Sequence, residues 1–408
     1  MKRFGLLGEH LSHSFSVPIH RALGGYPYEL YEVPPEEVEA FVRRGDPAGF
    51  NVTIPYKERV LPLMDELTDR ARAVGSVNTV LRRPDGSLLG DNTDVFGMAY
   101  MLRGFDLSGA KVLILGSGGS RRTAEWVLPA LGAACVTVIS RSGEDNYTNL
   151  DRHADADFIL NTTPVGMFPH NGEAPLSLDG FPRLRGVADL IYNPARTRLL
   201  LDAEARGIPT AGGLPMLVEQ ARRAAELFGG EPIPAERTGE IADRMRRDAE
   251  NMVLIGMPGC GKTTVGRALA ALARRPFYDC DEEISREAGL SVPDLIAREG
   301  EDAFRRRETE ALSRLTRLSG AVIATGGGCV TRRENRDLLR QNGRVYYLSR
   351  PLGELTAEGR PISQREGIAP LFSAREPLYR AWSDASVPVT HPEATALEIL
   401  RMHQENVL

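Results

Sequence analysis

Lysine is scarce in this chain. Of its 50 basic residues only Lys2, Lys57, Lys111 and Lys262 are lysine, and the rest are arginine. Where arginine is the default cation, a retained lysine points to chemistry that needs an ammonium. That means a compact point charge, or a group able to lose its proton, which a guanidinium cannot do. Lys262 stands in Gly256-Met-Pro-Gly-Cys-Gly-Lys-Thr263, which has the Gly-x-x-x-x-Gly-Lys-Thr spacing of a phosphate-binding loop. In such a loop Gly259, Cys260 and Gly261 turn backbone N–H groups toward nucleotide phosphates, and Lys262 reaches the β- and γ-phosphates. Thr263 and Thr264 follow, and the Thr263 hydroxyl suits Mg²⁺. The loop implies ATP or GTP. The Asn-Lys-x-Asp base reader of GTPases does not occur in the sequence.

Lys57 closes Asn51-Val-Thr53-Ile-Pro-Tyr-Lys57, and three other polar clusters lie nearby in the chain. These are Ser14-Phe-Ser16, with Ser16 a plausible helix N-cap before Pro18; Gly75-Ser-Val-Asn78; and Gly90-Asp-Asn-Thr-Asp94. A lysine that serves as a base near neutrality needs its pKa brought down from about 10.4 toward about 7–8. Partial burial and neighbouring cations do that, so a nearby Asp94 has a positional role. Gly116-Ser117-Gly118-Gly119-Ser120 follows an apolar strand and opens a helix, a dinucleotide signal although Arg121 takes the third glycine's place. The next strand ends in Ser140-Arg141-Ser142. An NAD site offers a carboxylate there, whereas Arg141 suits a 2′-phosphate, so NADP is expected.

Beyond the phosphate loop come Asp279-Cys-Asp281, Phe304-Arg305-Arg306-Arg307-Glu308, Gly326-Gly327-Gly328, Arg360-Pro361 and Arg375-Glu-Pro-Leu-Tyr379. The two aspartates are read as lying two apart at a strand end, facing one side. The triple glycine lets a small ligand touch backbone. The separate arginines suit an anionic substrate and a phosphoryl group in transfer. Arg306 and Arg307 read as solvated.

The elements that must hold these residues alternate. Strands are expected at 48–55, 76–81, 111–116, 135–139, 157–161, 186–191 and 252–255, with helices after Asp94, after the glycine-rich loop, at 214–228 and at 235–250. Alternating strands and helices imply parallel sheets covered on both faces. The segment 143–156 is too short for the helix that would follow Arg141. A boundary falls near residue 250, where a new strand opens into the phosphate loop.

The ordered set in 250–408 resembles shikimate kinase. The resemblance implies that Asp279 sits near the metal and that Asp281 binds substrate hydroxyls and helps activate the nucleophile. Arg305 and Arg375 would hold the shikimate carboxylate, Gly327 would offer backbone, and Arg360 would close from a lid that is short in this chain. Residues 1 to about 248 resemble shikimate dehydrogenase, through the clusters above and through Asn161-Thr-Thr-Pro-Val-Gly-Met167, Asp189-Leu-Ile-Tyr192-Asn-Pro194 and Gly213-Leu-Pro-Met-Leu-Val-Glu-Gln220. That likeness gives Ser14, Ser16 and nearby Tyr192 to the substrate carboxylate, and Thr53, Asn78, Asp94 and Gln220 to ring hydroxyls. Lys57 and Asp94 would be the acid/base pair, and Gly116–Ser120, Arg141, Leu190 and Gly213 would line the cofactor.

The expectation is therefore an α/β chain in three parts. An α/β substrate domain (1–98, completed by about 215–248) precedes a Rossmann-like NADP domain (99–214) and a P-loop, NMP-kinase-like α/β domain with a parallel sheet (250–408). Both halves share one ligand, so a bifunctional enzyme of aromatic biosynthesis is implied, using NADP, ATP and Mg²⁺. Two alternatives stand beside it: quinate or an amino-shikimate as the first half's substrate, and a kinase half that senses ligand without turnover. Composition fits this outline. A length of 408 residues suits two or three domains, and 42% hydrophobic with 26% charged residues is ordinary for a folded protein. A net charge of −5 removes the basic bias of many nucleic-acid binders. No apolar run is long enough to span a membrane, the four cysteines form no C-x-x-C pair, and a cytoplasmic location is expected.

Overall fold

The computed structural model describes residues 2–11, 14–355 and 361–405. The chain forms two compact units. One gathers Met1–Gly166, Glu173–Tyr192 and Asp202–Arg244; the other gathers Met167–Gly172, Asn193–Leu201 and Met245–Leu408. The sequence outline differs here, because two short pieces of the 99–214 stretch group with the second unit. There the Ala195 N–H donates to Asn342 Oδ1 at 2.8 Å and the Arg196 N–H to Gln341 O at 2.9 Å.

The first unit carries two sheets. The N-terminal one runs Tyr28–Glu32, Phe4–Gly8, Gly49–Val52, Thr79–Arg82, Leu88–Asp91 and Glu66–Leu67. Phe4–Gly8 is buried at every position and pairs in parallel on both edges, so it reads as an unbroken apolar run. The sheet is mixed. Gly49–Val52, Thr79–Arg82 and Leu88–Asp91 are antiparallel, which sets Thr79 beside both Asn51 and Asp91. That register brings the exits of two strands and the entry of a third to one edge, where Lys57, Asn78 and Asp94 follow or precede them within a few residues.

The second sheet is parallel, in the order Thr210–Ala211, Gly186–Asp189, Phe158–Asn161, Lys111–Leu115, Cys135–Ile139. Lys111–Leu115 has its chain successors on opposite sides, so the strand order reverses at its C-terminal end. Open α/β sheets place their ligand crevice at such a point. The Gly119–Ala130 helix starts directly above it, while the stretch after Cys135–Ile139 forms only a short 3₁₀ turn, Leu150–His153.

The second unit is built on a parallel sheet in the order Phe277–Asp279, Val322–Ala324, Asn251–Ile255, Gly343–Ser349, Ala385–Pro388. Its central strand is buried throughout and packs among Ile323, Val345, Tyr346 and Leu348. The phosphate loop and the Lys262–Ala273 helix leave from the end of that strand. Among the described residues no helix is long and apolar enough to cross a membrane.

Candidate active sites

In the first unit the polar residues converge on Asp94, the first residue of the Asp94–Leu102 helix. Lys57 Nζ donates to Asp94 Oδ2 at 2.5 Å. Asn78 Nδ2 donates to Asp94 Oδ1 at 2.9 Å, to Thr93 Oγ1 at 3.0 Å and to Gln220 Oε1 at 3.3 Å. Asn78 Oδ1 in turn accepts the Thr93 N–H at 2.6 Å. One buried amide thus fixes the carboxylate that faces the lysine, and Lys57, Asn78, Asp94 and Gln220 form one cluster. Thr53 follows Gly49–Val52, with its N–H bonded to Leu7 O at 2.9 Å. Among the described residues no hydrogen bond is recorded from its side chain to that cluster.

Ser14 Oγ accepts the Ser16 N–H at 3.2 Å, so the two serines sit together. The N-cap of the Ser16–Leu23 helix is Phe15, not Ser16, which is the first helical residue. Ser14, two residues upstream, takes over the side-chain bond to the helix start. The Tyr192 ring lies 5.2 Å from the Phe15 ring, which brings Tyr192 to the serine pair; burial raises its hydroxyl pKa.

At the switch point Gly116 has φ +106°, a left-handed conformation that favours glycine. Gly118 and Gly119 begin the helix with open space above them, and Ser117 is exposed. Ser120 lies in the first turn. Gly213 presses against Leu190: a Cβ there would sit 1.9 Å from the Leu190 carbonyl oxygen. Arg141 projects exposed from the end of Cys135–Ile139, with Ser140 buried beside it. A cradle of exposed N–H groups with a free guanidinium at the neighbouring strand end fits a phosphorylated dinucleotide.

In the second unit Gly259 and Gly261 have φ +81° and +103°, and Gly261 caps the helix that Lys262 begins. Lys262 is buried, with Nζ donating to Gly256 O at 2.9 Å and Met257 O at 3.0 Å. Cys260 is buried within the loop, and Thr264 is exposed one residue past Thr263. Thr263 Oγ1 donates to Asp279 Oδ2 at 2.6 Å. Among the described residues no group of three or more His, Cys, Asp or Glu side chains could hold a metal unaided. Two oxygens from Thr263 and Asp279 do fit Mg²⁺, which keeps waters and takes phosphate oxygens as its remaining ligands.

The Asp-x-Asp pair is not a strand-face pair. Asp279 ends its strand and caps the Cys280–Ala288 helix, accepting the Asp281 N–H at 3.0 Å and the Glu282 N–H at 3.3 Å. Asp281 therefore lies in the first helical turn, half-buried, with its Oδ1 atom buried and unpartnered. Burial, with Glu308 and then Asp279 facing it, pushes the Asp281 carboxyl up to about 7 against the pull of Lys262 and Arg305. The triple glycine lines the same space. A Cβ on Gly326 would meet Glu308 Oε1 at 2.1 Å and Asp281 Oδ1 at 3.0 Å, and one on Gly328 would meet the Arg305 guanidinium at 2.1 Å. Gly327 packs on Pro258 of the phosphate loop, and its carbonyl accepts Arg375 Nη1 at 3.4 Å and the Tyr379 hydroxyl. Lys262, Asp279, Asp281, Arg305, Gly327 and Arg375 are thus gathered around one cradle. Arg360 lies outside the described residues.

Arg306 is exposed, and Arg307 pairs with Glu299 at 3.1 Å. Sequence reasoning passed over Glu308. It is fully buried and its Oε2 accepts Arg305 Nη1 at 2.8 Å. Burial raises its own pKa, opposed by Arg305 and Arg375. The available signal was its spacing three residues after Arg305 on a helix, which puts both on one face.

The shikimate dehydrogenase of Methanopyrus kandleri, named as NADP(+)-linked, is 38% identical over 266 residues, which are 57% of this chain and 91% of that protein. The chain belongs to the shikimate dehydrogenase family. The substrate-binding domain of that family matches residues 6–80, and shikimate kinase matches residues 258–404. A crystal structure of the Thermus thermophilus shikimate 5-dehydrogenase, in complex with NADP(H) and shikimate, is 31% identical with a TM-score of 0.55, covering 60% of this chain and 99% of that one. A chorismate mutase/shikimate 5-dehydrogenase fusion from Clostridium acetobutylicum is 32% identical with a TM-score of 0.56, covering 60% of this chain and 97% of that one. The chain is a bifunctional enzyme, an oxidoreductase of the dehydrogenase family joined to a domain of the kinase family.

Proposed function

We propose that the first half reduces 3-dehydroshikimate to shikimate with NADPH, and that the second half phosphorylates shikimate with MgATP to give shikimate 3-phosphate. One observation carries the reading. Of four lysines in the chain, the two at motif positions are the two drawn into polar clusters, Lys57 against Asp94 and Lys262 inside the phosphate loop. An NADP-linked relative and a relative crystallised with shikimate support the first reaction.

Gly116–Ser120 and Arg141 would hold NADPH, which when bound would supply a hydride to the carbonyl carbon. Lys57 gives a proton to the carbonyl oxygen, so the ketone becomes a secondary alcohol, and in the reverse direction Lys57 takes that proton back. Asp94 and Asn78 hold Lys57 in place, and Gln220, Thr53 and Asn78 bind ring hydroxyls. Ser14, Ser16 and Tyr192 bind the carboxylate. In the second half Arg305 and Arg375 bind the same carboxylate, and Gly327 contacts the ring through backbone. Asp281 accepts the proton of the attacking hydroxyl. Lys262 holds the transferring phosphate, and Thr263 with Asp279 would hold Mg²⁺, which screens phosphate charge when bound.

The test is to assay both reactions on wild type, Lys57→Ala and Lys262→Ala. The first variant is expected to lose only shikimate oxidation, and the second only shikimate-dependent ADP release. Faster oxidation of quinate than of shikimate would move the first half to another substrate. ADP release that ignores shikimate or Mg²⁺ would remove the kinase assignment.

A further inference from the structure

In the dehydrogenase half a single cation joins the dinucleotide helix to the segments that carry the substrate residues. Arg122 is the fourth residue of the Gly119–Ala130 helix. Its Nη2 lies 3.3 Å from Glu58 Oε2, and its Nη1 donates to Gly75 O at 3.4 Å. Glu58 directly follows Lys57. Gly75 directly precedes the run that ends in Asn78.

The two gripped segments are already tied to each other. The Val77 N–H donates to Lys57 O at 2.8 Å, and Asn92 Nδ2 donates to Ser76 O and to Ser76 Oγ, each at 3.0 Å. Anything that moves Glu58 and Gly75 together therefore moves Lys57, Asn78 and the Asp94 turn. Gly75 closes the Asp69–Val74 helix at φ +72°, and a Cβ there would lie 3.0 Å from Arg122 Nη1, so the bare glycine leaves the guanidinium its place. The neighbouring Arg121 pairs with Glu125 on its own helix at 3.3 Å and takes no part.

We infer that Arg122 is a positioning residue that couples cofactor binding to substrate binding. A dinucleotide held at Gly116–Ser120 fixes the first turns of the helix, and Arg122 passes that order to the Lys57 and Asn78 segments. The ion pair is about half exposed on both sides, so it adds little to fold stability. Its effect appears instead as a coupling between two ligands, and such coupling is reciprocal. The inference rests on the dehydrogenase reading above.

The test uses shikimate with NADPH, two reduced ligands between which no hydride can pass. The Kd of NADPH, which binds only in the dehydrogenase half, is measured by titration calorimetry on the full chain, with and without saturating shikimate. In wild type, shikimate is expected to tighten NADPH binding by about fivefold to tenfold. In Arg122→Gln the gain should fall below about twofold, while each ligand alone binds within about twofold of wild type and the melting temperature holds. Glu58→Gln attacks the same contact from the other side and should lose part of the gain, which covers the case of a poorly folded Arg122 variant. No gain in wild type, or an intact gain in both variants, overturns the inference. So does a loss of binary affinity and melting temperature with the gain preserved, which is what a merely structural arginine would give. If wild type binds no NADPH, the dehydrogenase reading itself has failed, and that result is distinct from all the others.

Discussion

The sharpest consequence of the geometry is at Gly213. Its φ is −75°, an ordinary value, so alanine is not excluded by backbone conformation. The obstacle is space. A Cβ at 213 would lie 1.9 Å from the Leu190 carbonyl oxygen, 2.5 Å from its carbon and 3.1 Å from the Leu190 Cα. All three atoms are backbone, so no side-chain rotation relieves the clash. Ordinary contact begins near 3.5 Å, so the Leu190 turn and the start of the Leu214–Gly229 helix must part by roughly 1.5 Å. A misplacement of about 1 Å beside reacting groups can cost a factor of about 100, or about 2.7 kcal/mol in the barrier. Gly213→Ala should therefore lower kcat/KM for NADP in shikimate oxidation about 100-fold. Shikimate phosphorylation by the same preparation should be unchanged, which serves as an internal control of folding. Gly229→Ala, where nothing lies within 4 Å of the added carbon, is the matched control and should be silent. A Gly213→Ala enzyme with wild-type kcat/KM for NADP would refute the placement of Leu190 and Gly213 against the cofactor.

The kinase half has its own version: Gly326→Ala, which drives a methyl group toward Glu308 and Asp281, should abolish measurable phosphorylation and leave oxidation intact in coupled assays. Because Asp281 is held up at about 7 and must be ionised to accept a proton, kcat/KM for shikimate phosphorylation should fall about tenfold per unit below pH 7. Glu308→Gln removes the facing carboxylate that helps to hold Asp281 up, so the acid limb of that pH profile should move to lower pH. The same change loosens Arg305, so the shikimate KM should rise about tenfold with the ATP KM within about twofold, and equal changes in both would contradict the assignment. In the first unit burial lowers His20 to about 3 from 6.5, so the unfolded chain binds the proton more readily. His20 thus contributes stability that is present above pH 6.5 and lost as pH falls toward 3. The loss amounts to about 2 kcal/mol at pH 5, and in urea unfolding read by loss of shikimate oxidation, His20→Gln should flatten the pH dependence by that amount.

What the sequence could show depended on how local each signal was. The buried parallel strands Lys111–Leu115 and Asn251–Ile255 are short apolar runs ending in glycine-rich loops, and both stand where the pattern puts them. The short stretch after Arg141 indeed holds no α-helix, because Asn146 and Asn149 bind loop backbone instead, Asn149 Nδ2 donating to Glu144 O at 2.9 Å. The misses were choices between neighbours or partners far apart in sequence. Ser16 looked like a cap, yet Ser14 makes the bond to the helix start. Asp281 looked like a strand-end residue, yet Asp279 captures two N–H groups and starts a helix before it. Glu308 sits in a charged run that reads as a solvated face, and only the fold buries it against Arg305. Arg122, Glu58 and Gly75 are distant in sequence, and no periodicity connects them.

The lysine count shows how far composition alone can go. Scarcity marked four positions, but scarcity did not separate them: Lys111 forms an exposed pair with Asp155 at the start of a strand, and Lys2 is simply exposed. Arginine would serve at either place. What separates Lys57 and Lys262 is that each side chain is drawn inward onto groups a guanidinium would meet differently. Lys57 puts one nitrogen on one carboxylate oxygen at 2.5 Å. Lys262 turns its amine onto two carbonyls of its own loop, Gly256 O and Met257 O. A planar five-donor fork at either position would keep the charge and lose the point contact, and at Lys57 it would also lose the transferable proton. Lys57→Arg should therefore fold and bind NADP yet fail in oxidation, whereas Lys111→Arg should leave both reactions at wild-type rates.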